Sequence, residues 1–569
     1  MRYRQFFVQV PLVLLLTTTG RPSNPGSQRS TSASPPEASG PSAKTANDLR
    51  ARVASGRLDD LRWPNFSDYR VHLENFYKQT AYELAWVRNS KPIAPVHSVI
   101  GVLQQADNEG LNAEDYDGPK WPSREALLEG PHSPADEVRF DLALTVCAMR
   151  YASDLRIGRI NPKHLKFAFD VGPKKLDLPR FVRQLIAAKD VKAELAQIEP
   201  PFDEYKRTRQ ALLRYMELAS VDKGAKLPDP GRTLSPGDRY EGVPRLEQLL
   251  HELGDLPASA SVSADDPTYK EPLVAAVKHF QERHLLYDDG KIDTLTLEQL
   301  NTPMSFRVEQ LRLALERWRW LPLRYVQPPI VVNIPEYYLR AFDAEGNAAL
   351  TMNVNVGEAF ENQTPIFEGQ MSYLVFRPYW DVPSTIQRSE IVPEVEQDRD
   401  YIHDYDFEVI GPDGRVVTDG AISDSVLQQL RAGKLRVRQK PGPSNSLGLV
   451  KFIFPNSHNV YLHDTPVEKD MFDRAQRDLS HGCIHVKEPA QLAAWVLRDQ
   501  PQWTLERVRA AMQDGRDNQR VNLTKPIPVL ILYATAIVEE DGAVYFTQDI
   551  YGHDQKLKQA LAKGYPYPG

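Results

Sequence analysis

The segment with the most potential for chemistry is DLSHGCIHV, residues 478–486. Cys483 lies there between His481 and His485, directly after Gly482, in a chain of 569 residues with only two cysteines. Three explanations are open: a nucleophilic thiolate, a set of metal ligands, or a buried thiol. A thiol with an ordinary pKa of about 8.5 is only a few per cent ionised at pH 7, so a nucleophilic cysteine needs a base nearby.

His463 is a candidate for that base. The stretch VYLHDTP places it at the end of a predicted strand, twenty positions before Cys483. An imidazole can hold a thiolate–imidazolium pair and later protonate a leaving amine, provided that its other nitrogen finds an acceptor. Gly482 lets the backbone come close, so N–H groups near Cys483 could stabilise a tetrahedral oxyanion. The pattern predicts acyl transfer through a thioester.

The N-terminus has the charge order of an export signal. Residues 1–20 run from a basic start, MRYRQ, through the apolar FFVQVPLVLLL to the small residues TTTG. Cleavage and an uncleaved membrane anchor both stay open, and a plain hydrophobic end is the alternative. No later segment has about twenty apolar residues in a row, so we expect no second membrane span.

Export makes an unpaired thiol informative, because cysteines in oxidising compartments usually pair. Cys147 lies in VRFDLALTVCAMRYASDLR, where apolar residues recur at helical spacing. We therefore predict that Cys147 is a core residue of a helix. Cys483 is then unpaired and a candidate for reactivity.

Composition excludes some functions and sets the number of domains. A chain of this length is expected to form three to four domains, and 41% hydrophobic with 25% charged residues is ordinary for a globular protein. The net charge of −7 comes from mixed signs without a long basic run, so nucleic acid is not indicated as a partner.

Patterns along the chain predict its organisation. Residues 21–47 are rich in Ser, Pro and Gly and predict a disordered linker. Residues 48–235 have mostly helical spacing and predict a scaffold. Residues 238–303 form a separate unit of three short helices, in which one helix ends near Gly254 and an Asp-Gly turn precedes the third.

This small unit carries a recognisable pattern. The stretch AVKHFQERHLLYDDGKIDTLTLEQLN resembles the three-helix peptidoglycan-binding module of cell-wall enzymes. One departure is Asp293, where that family often has glycine, and this substitution is expected to alter the turn. No catalytic group is evident in the unit, so we expect it to raise the local concentration of substrate.

From about residue 328 the period changes to the alternation of β-strands. Two strands are predicted around a turn at Gly346, and another pair around Gly542 within a C-terminal hairpin and helix at 538–569. We assign 328–537 to a catalytic domain and 384–440 to a helix-containing insertion that caps it. The charged insertion is predicted to bury only a modest core and to act as a lid, with a rigid platform as the alternative.

The segment HDTPVEKDMFDRAQRDLSHGCIHV resembles the signature of L,D-transpeptidases with a YkuD-type catalytic domain. The stretches YLVFRPYWDVP and RQKPGPSNSLGLVKFIFPN extend the likeness to large periplasmic members of that family. The resemblance implies Cys483 as nucleophile, His463 as base and the carbonyl of Asp464 as the group that orients the imidazole. It also implies an oxyanion site at Tyr461, Gly482 and the Cys483 amide. The residues expected to bind substrate are His481, Ser480, Trp380, Asn445 and His485.

The resemblance implies a complete set of expectations. The fold is a multidomain α+β protein with a helical scaffold, a three-helix peptidoglycan-binding module and a predominantly β catalytic domain with its cap. The activity is 3→3 cross-linking of peptidoglycan stem peptides, as acyl donor and acceptor, in the periplasm. We expect a monomer without cofactor or metal, with a membrane tether through residues 1–20 left open. His485 departs from the family, which usually has arginine there.

Two other functions compete with this one. A zinc-dependent wall peptidase could use the alternating His481, Cys483 and His485 with His458 and His463 upstream. The segment has neither a Cys-x-x-Cys nor a His-Glu-x-x-His partner. A peptidoglycan-binding protein with an inactive transpeptidase-like domain is the third possibility, although both expected catalytic residues are present.

Overall fold

The computed structural model describes residues 43–222, 224–260, 266–325, 327–466 and 469–564. The predicted signal at 1–20 and most of the predicted linker lie outside these ranges. Within the ranges, no helix combines the length and the apolar character needed to cross a bilayer. The first helix begins at Ala43, inside the segment predicted as linker, because Leu49 and Val53 give it a buried face.

The N-terminal region is helical. Its elements are α1 (Ala43–Ser55), α2 (Arg70–Lys78), β1 (Val87–Arg88), β2 (Lys91–Pro92), α3 (Pro95–Gln104), α4 (Trp121–Glu129), α5 (Pro134–Ile157), α6 (Leu178–Ala187), α7 (Val191–Ala196) and α8 (Asp203–Val221). The central helix α5 starts at a capping box formed by Ser133 and Asp136 and is buried over most of its length. Cys147 lies in it with 1% of its surface exposed, so its prediction as a core residue is confirmed.

The next unit has three helices, as predicted. They are α9 (Val243–Leu253), α10 (Leu273–Arg283) and α11 (Thr294–Leu300), and the longer α12 (Met304–Trp318) follows. Helix α9 ends at Gly254, whose φ of +85° suits glycine. Asp293 caps α11 by accepting a hydrogen bond from the Thr296 amide at 2.8 Å. The departure from glycine at Asp293 therefore gives α11 an N-cap.

The region that the sequence assigns to a catalytic domain, 328–537, is built on strands. Before the insertion come β3 (Ile330–Asn333), β4 (Tyr338–Phe342), β5 (Ala348–Gly357) and β6 (Phe367–Phe376). After the insertion come β11 (Val450–Ile453), β12 (Leu462–His463), β13 (Asp478–Ser480), β14 (Ile484–Val486), α17 (Pro489–Val496), α18 (Leu505–Gln513) and β15 (Gln519–Leu532). The order in the sheet is β13-β5-β14-β12-β11-β6-β15-β3-β4, and β4 also pairs with β5. That extra pairing closes the sheet into a barrel-like form.

The insertion between β6 and β11 folds as a small unit, which we call the cap (residues 380–439). Its elements are β7 (Trp380–Asp381), α13 (Ser384–Ile386), a π-helix (Gln387–Ile391), α14 (Val392–Gln397), α15 (Tyr401–Asp404), β8 (Phe407–Ile410), β9 (Val416–Thr418), α16 (Asp424–Arg431) and β10 (Arg436–Gln439). Its four strands form their own sheet, in the order β7-β10-β8-β9. Val395, Ile402, Val409 and Leu430 are at most 1% exposed in a separate hydrophobic cluster. This cluster is the smallest of the four in the described residues, which agrees with the expected modest core, and it is separate from the core of the large sheet.

The chain ends, within the described ranges, on a hairpin and a helix. These are β16 (Ala536–Val538), β17 (Val544–Phe546) and α19 (His553–Ala562). The hairpin turns at Gly542, whose φ is +86°, as the Asp-Gly pair predicted. The hairpin packs against α8, α10 and α12.

Candidate active site

Four polar side chains form a row across four adjacent strands of the barrel-like sheet. Lys451 on β11 pairs with His463 on β12, His463 pairs with His485 on β14, and His485 pairs with Asn355 on β5. Directly paired residues point to the same face of a sheet, so the four side chains lie side by side. We call this set the polar row. Cys483 immediately precedes β14 and therefore lies at the end of one of the two central strands of the row, β12 and β14.

The imidazole of His463 is held in one orientation. Its Nδ1 lies 2.5 Å from the carbonyl oxygen of Asp464, so Nδ1 donates there and Nε2 is left as the basic nitrogen. The side chain is buried, with 3% of the residue exposed. Burial and the neighbouring His485 and Lys451 hold the pKa of His463 well below its usual range. The ring is neutral at neutral pH and can accept a proton.

The thiol of Cys483 is also in its neutral form. Burial raises the pKa of Cys483 to about 11, although the backbone amide and phenol of Tyr461 and the charge of Lys451 act in the other direction. Its Sγ lies 4.0 Å from the carbonyl oxygen of Asn459, and in the part of the chain that the structure describes no hydrogen bond joins it to His463. Both pKa shifts favour a neutral thiol and imidazole over an ion pair. The neutral imidazole is then the group that can take the thiol proton.

The turn before Cys483 is fixed by backbone contacts. Gly482 has a φ of +105°, which an L side chain rarely adopts, and it lies close to the backbone of Gly357. Its amide donates to Ser480 Oγ at 3.1 Å, Ser480 Oγ donates to the Cys483 carbonyl, and Thr364 Oγ1 donates to the Gly482 carbonyl at 2.9 Å. Ser480 is only 2% exposed. It shapes the turn and offers substrate almost no surface.

His481 connects the turn to the cap. Its Nε2 lies 2.9 Å from a carboxylate oxygen of Glu390, and both side chains are about half exposed. Glu390 belongs to the π-helix of the cap, and π-helical turns are frequent at functional sites. The cap is thus in direct contact with the segment that carries Cys483.

Trp380 and Asn445 lie where the cap joins the sheet. The ring of Trp380 packs on Phe407 of the cap, with the ring centroids 6.2 Å apart. Asn445 is fully buried, and its amide donates to backbone carbonyls, among them Lys440 at 2.8 Å and Pro378 at 3.2 Å. We assign Asn445 the role of closing the base of the cap, without direct contact to substrate.

His485, for which the resemblance implies an arginine, is a partly buried aromatic ring. Its ring packs edge-on against His463, with centroids 4.6 Å apart, and burial lowers its pKa to about 4. The Nδ1 of His485 and both polar side-chain atoms of Asn355 are buried without a hydrogen-bond partner among the described residues. An arginine would bring a positive charge to this place, whereas His485 brings a neutral ring.

The two histidines that flank Cys483 point in different directions. His481 faces the cap, whereas His485 packs against His463. Within the described ranges, no group of three or more His, Cys, Asp or Glu side chains is arranged to hold a metal ion. The arrangement supports the thiol explanation better than a zinc centre.

Sequence reasoning missed three residues of this site: Lys451, Glu390 and Asn355. Lys451 stands in the alternating strand LVKFIF, where Val450 and Phe452 face the core. That alternation places the lysine on the other face of the strand. Which residue of the neighbouring strand lies beside it depends on the strand register, which the sequence does not show. Glu390 is one of many charges in the insertion, and no local pattern distinguishes it.

Three regions of the chain match known families. Residues 71–212 match a "Scaffold domain", residues 239–300 a "Putative peptidoglycan binding domain", and residues 327–521 the YkuD family, described as an "L,D-transpeptidase catalytic domain". These matches agree with the helical region, the three-helix unit and the barrel-like sheet described above.

Two curated proteins are similar over part of their length. A "Putative L,D-transpeptidase" of Haemophilus influenzae is 32% identical over 232 residues, which cover 41% of this chain and 45% of that protein. A "Metalloendoproteinase 1" of Glycine max is 34% identical over 71 residues, which cover 12% of this chain and 22% of that protein. The matches span less than half the length of either relative. By the three family matches, residues 327–521 form an L,D-transpeptidase catalytic domain of the YkuD family, preceded in this chain by a scaffold domain and a peptidoglycan-binding domain.

Proposed function

We propose that the chain cross-links peptidoglycan stem peptides by transpeptidation through Cys483. The observation that carries the proposal is the contact geometry around His463. The Asp464 carbonyl holds Nδ1, which leaves Nε2 as a base on the strand next to the one that Cys483 precedes. The matched catalytic and peptidoglycan-binding families supply the substrate class.

In the first half-reaction, Cys483 Sγ attacks the carbonyl between meso-diaminopimelate and the terminal D-alanine of a tetrapeptide stem. The thiol proton passes to Nε2 of His463 as the S–C bond forms. The amide C–N bond then breaks, the proton moves to the leaving nitrogen, and D-alanine departs. The product is a thioester on Cys483.

In the second half-reaction, the side-chain amine of another stem attacks the thioester. Its proton passes through His463 to Sγ, the S–C bond breaks, and a 3→3 cross-link remains. The oxyanion needs donors that are not already occupied. Since the Gly482 amide donates to Ser480 Oγ, we assign this role to the Cys483 amide and the Tyr461 phenol rather than to Gly482.

The partners and location follow from the same proposal. The substrates are stem peptides as donor and acceptor, so the chain would act outside the cytoplasm, in the periplasm, after export through residues 1–20. Cleavage of that segment and its use as a membrane tether are open. We expect a monomer that needs no cofactor.

The central test uses the purified chain and a disaccharide-tetrapeptide. The native chain is expected to form cross-linked dimers, Cys483→Ala to form none, and Cys147→Ala to retain activity because Cys147 is buried in α5. Mass spectrometry detects the dimers and the thioester. Dimers formed by Cys483→Ala would refute the nucleophile.

Alkylation at different pH values and treatment with a chelator distinguish the thiol enzyme from the zinc peptidase and the non-catalytic protein. Because the pKa of Cys483 is raised to about 11, alkylation by iodoacetamide should still accelerate between pH 8 and pH 10. A carbapenem should acylate Cys483 and block alkylation. Loss of activity in EDTA with recovery on zinc would support a metallopeptidase. Binding to sacculi without any dimer formation by the native chain would support a non-catalytic role.

A further inference from the structure

The ammonium group of Lys451 lies inside the candidate active site. Its Nζ donates to the carbonyl oxygen of Tyr379 at 3.2 Å and lies 5.9 Å from the centre of the Tyr461 ring. Tyr461 is also the residue whose amide and phenol face the thiol of Cys483. Lys451 and Cys483 therefore share a neighbour, and the charge of each affects the pKa of the other.

Lys451 has hydrogen-bond donors that are not used by its contacts among the described residues. An ammonium group has three N–H donors, and one of them is used by Tyr379. In the part of the chain that the structure describes, no carboxylate lies within the 4.0 Å of an ion pair. Burial lowers the pKa of Lys451, although the Asp381 carboxylate acts against this shift. Lys451 is partly buried, and among the described residues no carboxylate is in contact with its ammonium group, so an anionic ligand would stabilise it.

We propose that Lys451 binds the terminal carboxylate of the acyl-donor peptide. This inference rests on the proposed function and deepens it. In a peptide ending in D-alanine, the carboxylate is separated from the scissile carbonyl by only the amide nitrogen and one carbon. Lys451 and Cys483 share Tyr461 as a neighbour, so a cation at this place suits a carboxylate so close to the scissile carbonyl. The two remaining N–H groups of Lys451 can donate to its oxygens.

The position of Lys451 would also couple binding to catalysis. Lys451 is paired across the strands with His463, and its positive charge disfavours a second positive charge on that ring. A carboxylate bound to Lys451 offsets this effect. The base therefore becomes easier to protonate when a donor with a free terminus is bound. On the other side of the ring, His485 stays neutral and provides no competing cation for the carboxylate.

The test combines variants with a matched change in the substrate. We compare a disaccharide-tetrapeptide ending in D-alanine with one ending in D-alaninamide, which is uncharged but keeps its size. The variants are Lys451→Met, which removes the charge, and Lys451→Arg, which keeps it. The measurement is kcat/KM for thioester formation, followed by the release of D-alanine or D-alaninamide.

The expected results form a cycle. The native chain should lose about 30- to 100-fold in kcat/KM with the amide substrate, a typical effect of removing one partner of a charged hydrogen bond. Lys451→Met should lose a similar factor with the acid substrate and almost nothing further with the amide. Lys451→Arg should recover part of the discrimination. The comparison of the two substrates can be made with the native chain alone, so misfolding of Lys451→Met cannot hide the result.

Other outcomes would overturn the inference. Equal losses of Lys451→Met with both substrates, together with slower alkylation by iodoacetamide, would mean that Lys451 serves the thiolate. The native chain could instead keep its kcat/KM with D-alaninamide and lose it only when the free carboxylate of diaminopimelate is amidated. That result would mean that Lys451 binds the diaminopimelate carboxylate. Full activity of Lys451→Met beside an inactive Cys483→Ala would refute this inference and leave the proposed function intact.

Discussion

The peptidoglycan-binding unit and the cap are both appended to larger regions, but they are attached in different ways. The core of the peptidoglycan-binding unit continues into its neighbours, whereas the cap has a core of its own. The residues that share the first core come from α8, α9, α10, α12 and the C-terminal hairpin: Tyr215, Leu250, Phe280, Leu315, Val544 and Phe546. Because side chains from distant parts of the chain fill one core, this unit cannot move without opening it.

The cap also contacts the segment before β14 through an exposed polar pair, in which His481 lies 2.9 Å from Glu390. Exposed polar contacts can break and re-form at little cost in free energy. The difference suggests that the peptidoglycan-binding unit is a fixed part of the body. The cap is the better candidate for motion, as a rigid unit rather than by local unfolding.

The largest expected effect comes from breaking the attachment of the peptidoglycan-binding unit. Arg283 is buried, donates from Nε to Asp255 at 2.8 Å and also donates to the Val544 carbonyl in the hairpin. Arg283→Met leaves the buried Asp255 carboxylate with only His279 as its partner and removes the contact to the hairpin. This loss should lower the free energy of unfolding by about 3–5 kcal/mol. Urea denaturation measures this loss.

The control for Arg283 is Lys270→Ala in the same unit, because the Lys270–Asp266 pair is exposed. It should leave the urea midpoint unchanged. If Arg283→Met unfolds at the same urea concentration as the native chain, the unit is not fixed in the way we describe.

An effect of intermediate size should come from the core of the cap. Leu430 is fully buried there, so Leu430→Ala should destabilise the cap by about 2–5 kcal/mol. Hydrogen exchange should accelerate in β8 and β10 and stay unchanged in β6 and β15, because the cap has its own core.

The matched variant for Leu430 is Leu374→Ala in β6, which is equally buried but belongs to the core of the large sheet. It should accelerate exchange in the sheet. Joint acceleration of the cap and the sheet by Leu430→Ala would show that the two fold as one unit.

The smallest effect concerns the contact between the cap and the nucleophile segment. The pair of His481 and Glu390 is about half exposed and should be worth about 0.2–1 kcal/mol. If the cap covers Cys483, Glu390→Gln should raise the rate of Cys483 alkylation by up to about fivefold, since 1.4 kcal/mol corresponds to tenfold. Added salt should raise the rate of the native chain towards that of the variant.

Glu394→Gln is the control for Glu390, because Glu394 is exposed on the next turn of the cap and makes no ion pair among the described residues. It should alkylate at the native rate. Identical rates for Glu390→Gln and the native chain would mean that the cap is a fixed wall of the site.

Local patterns were sufficient to predict much of this protein. Strand alternation, turn glycines such as Gly346 and Gly542, and helical spacing were all visible in short windows. The segment around Cys483 predicted the chemistry, because a glycine, a thiol and an upstream histidine at a strand end form a recognisable pattern. Local spacing is sufficient for such features, since each depends on residues close together in the chain.

The register and the packing were decided by the tertiary structure. The sequence gives no sign that Lys451, His463, His485 and Asn355 lie side by side, because strand pairing joins residues as far apart in the chain as Asn355 and His485. Nor could it show that the apolar residues of the cap form a separate core while those of the peptidoglycan-binding unit share one. The sequence therefore determined which residues could react, and the fold determined which charges surround them. Only burial and strand register bring those charges together.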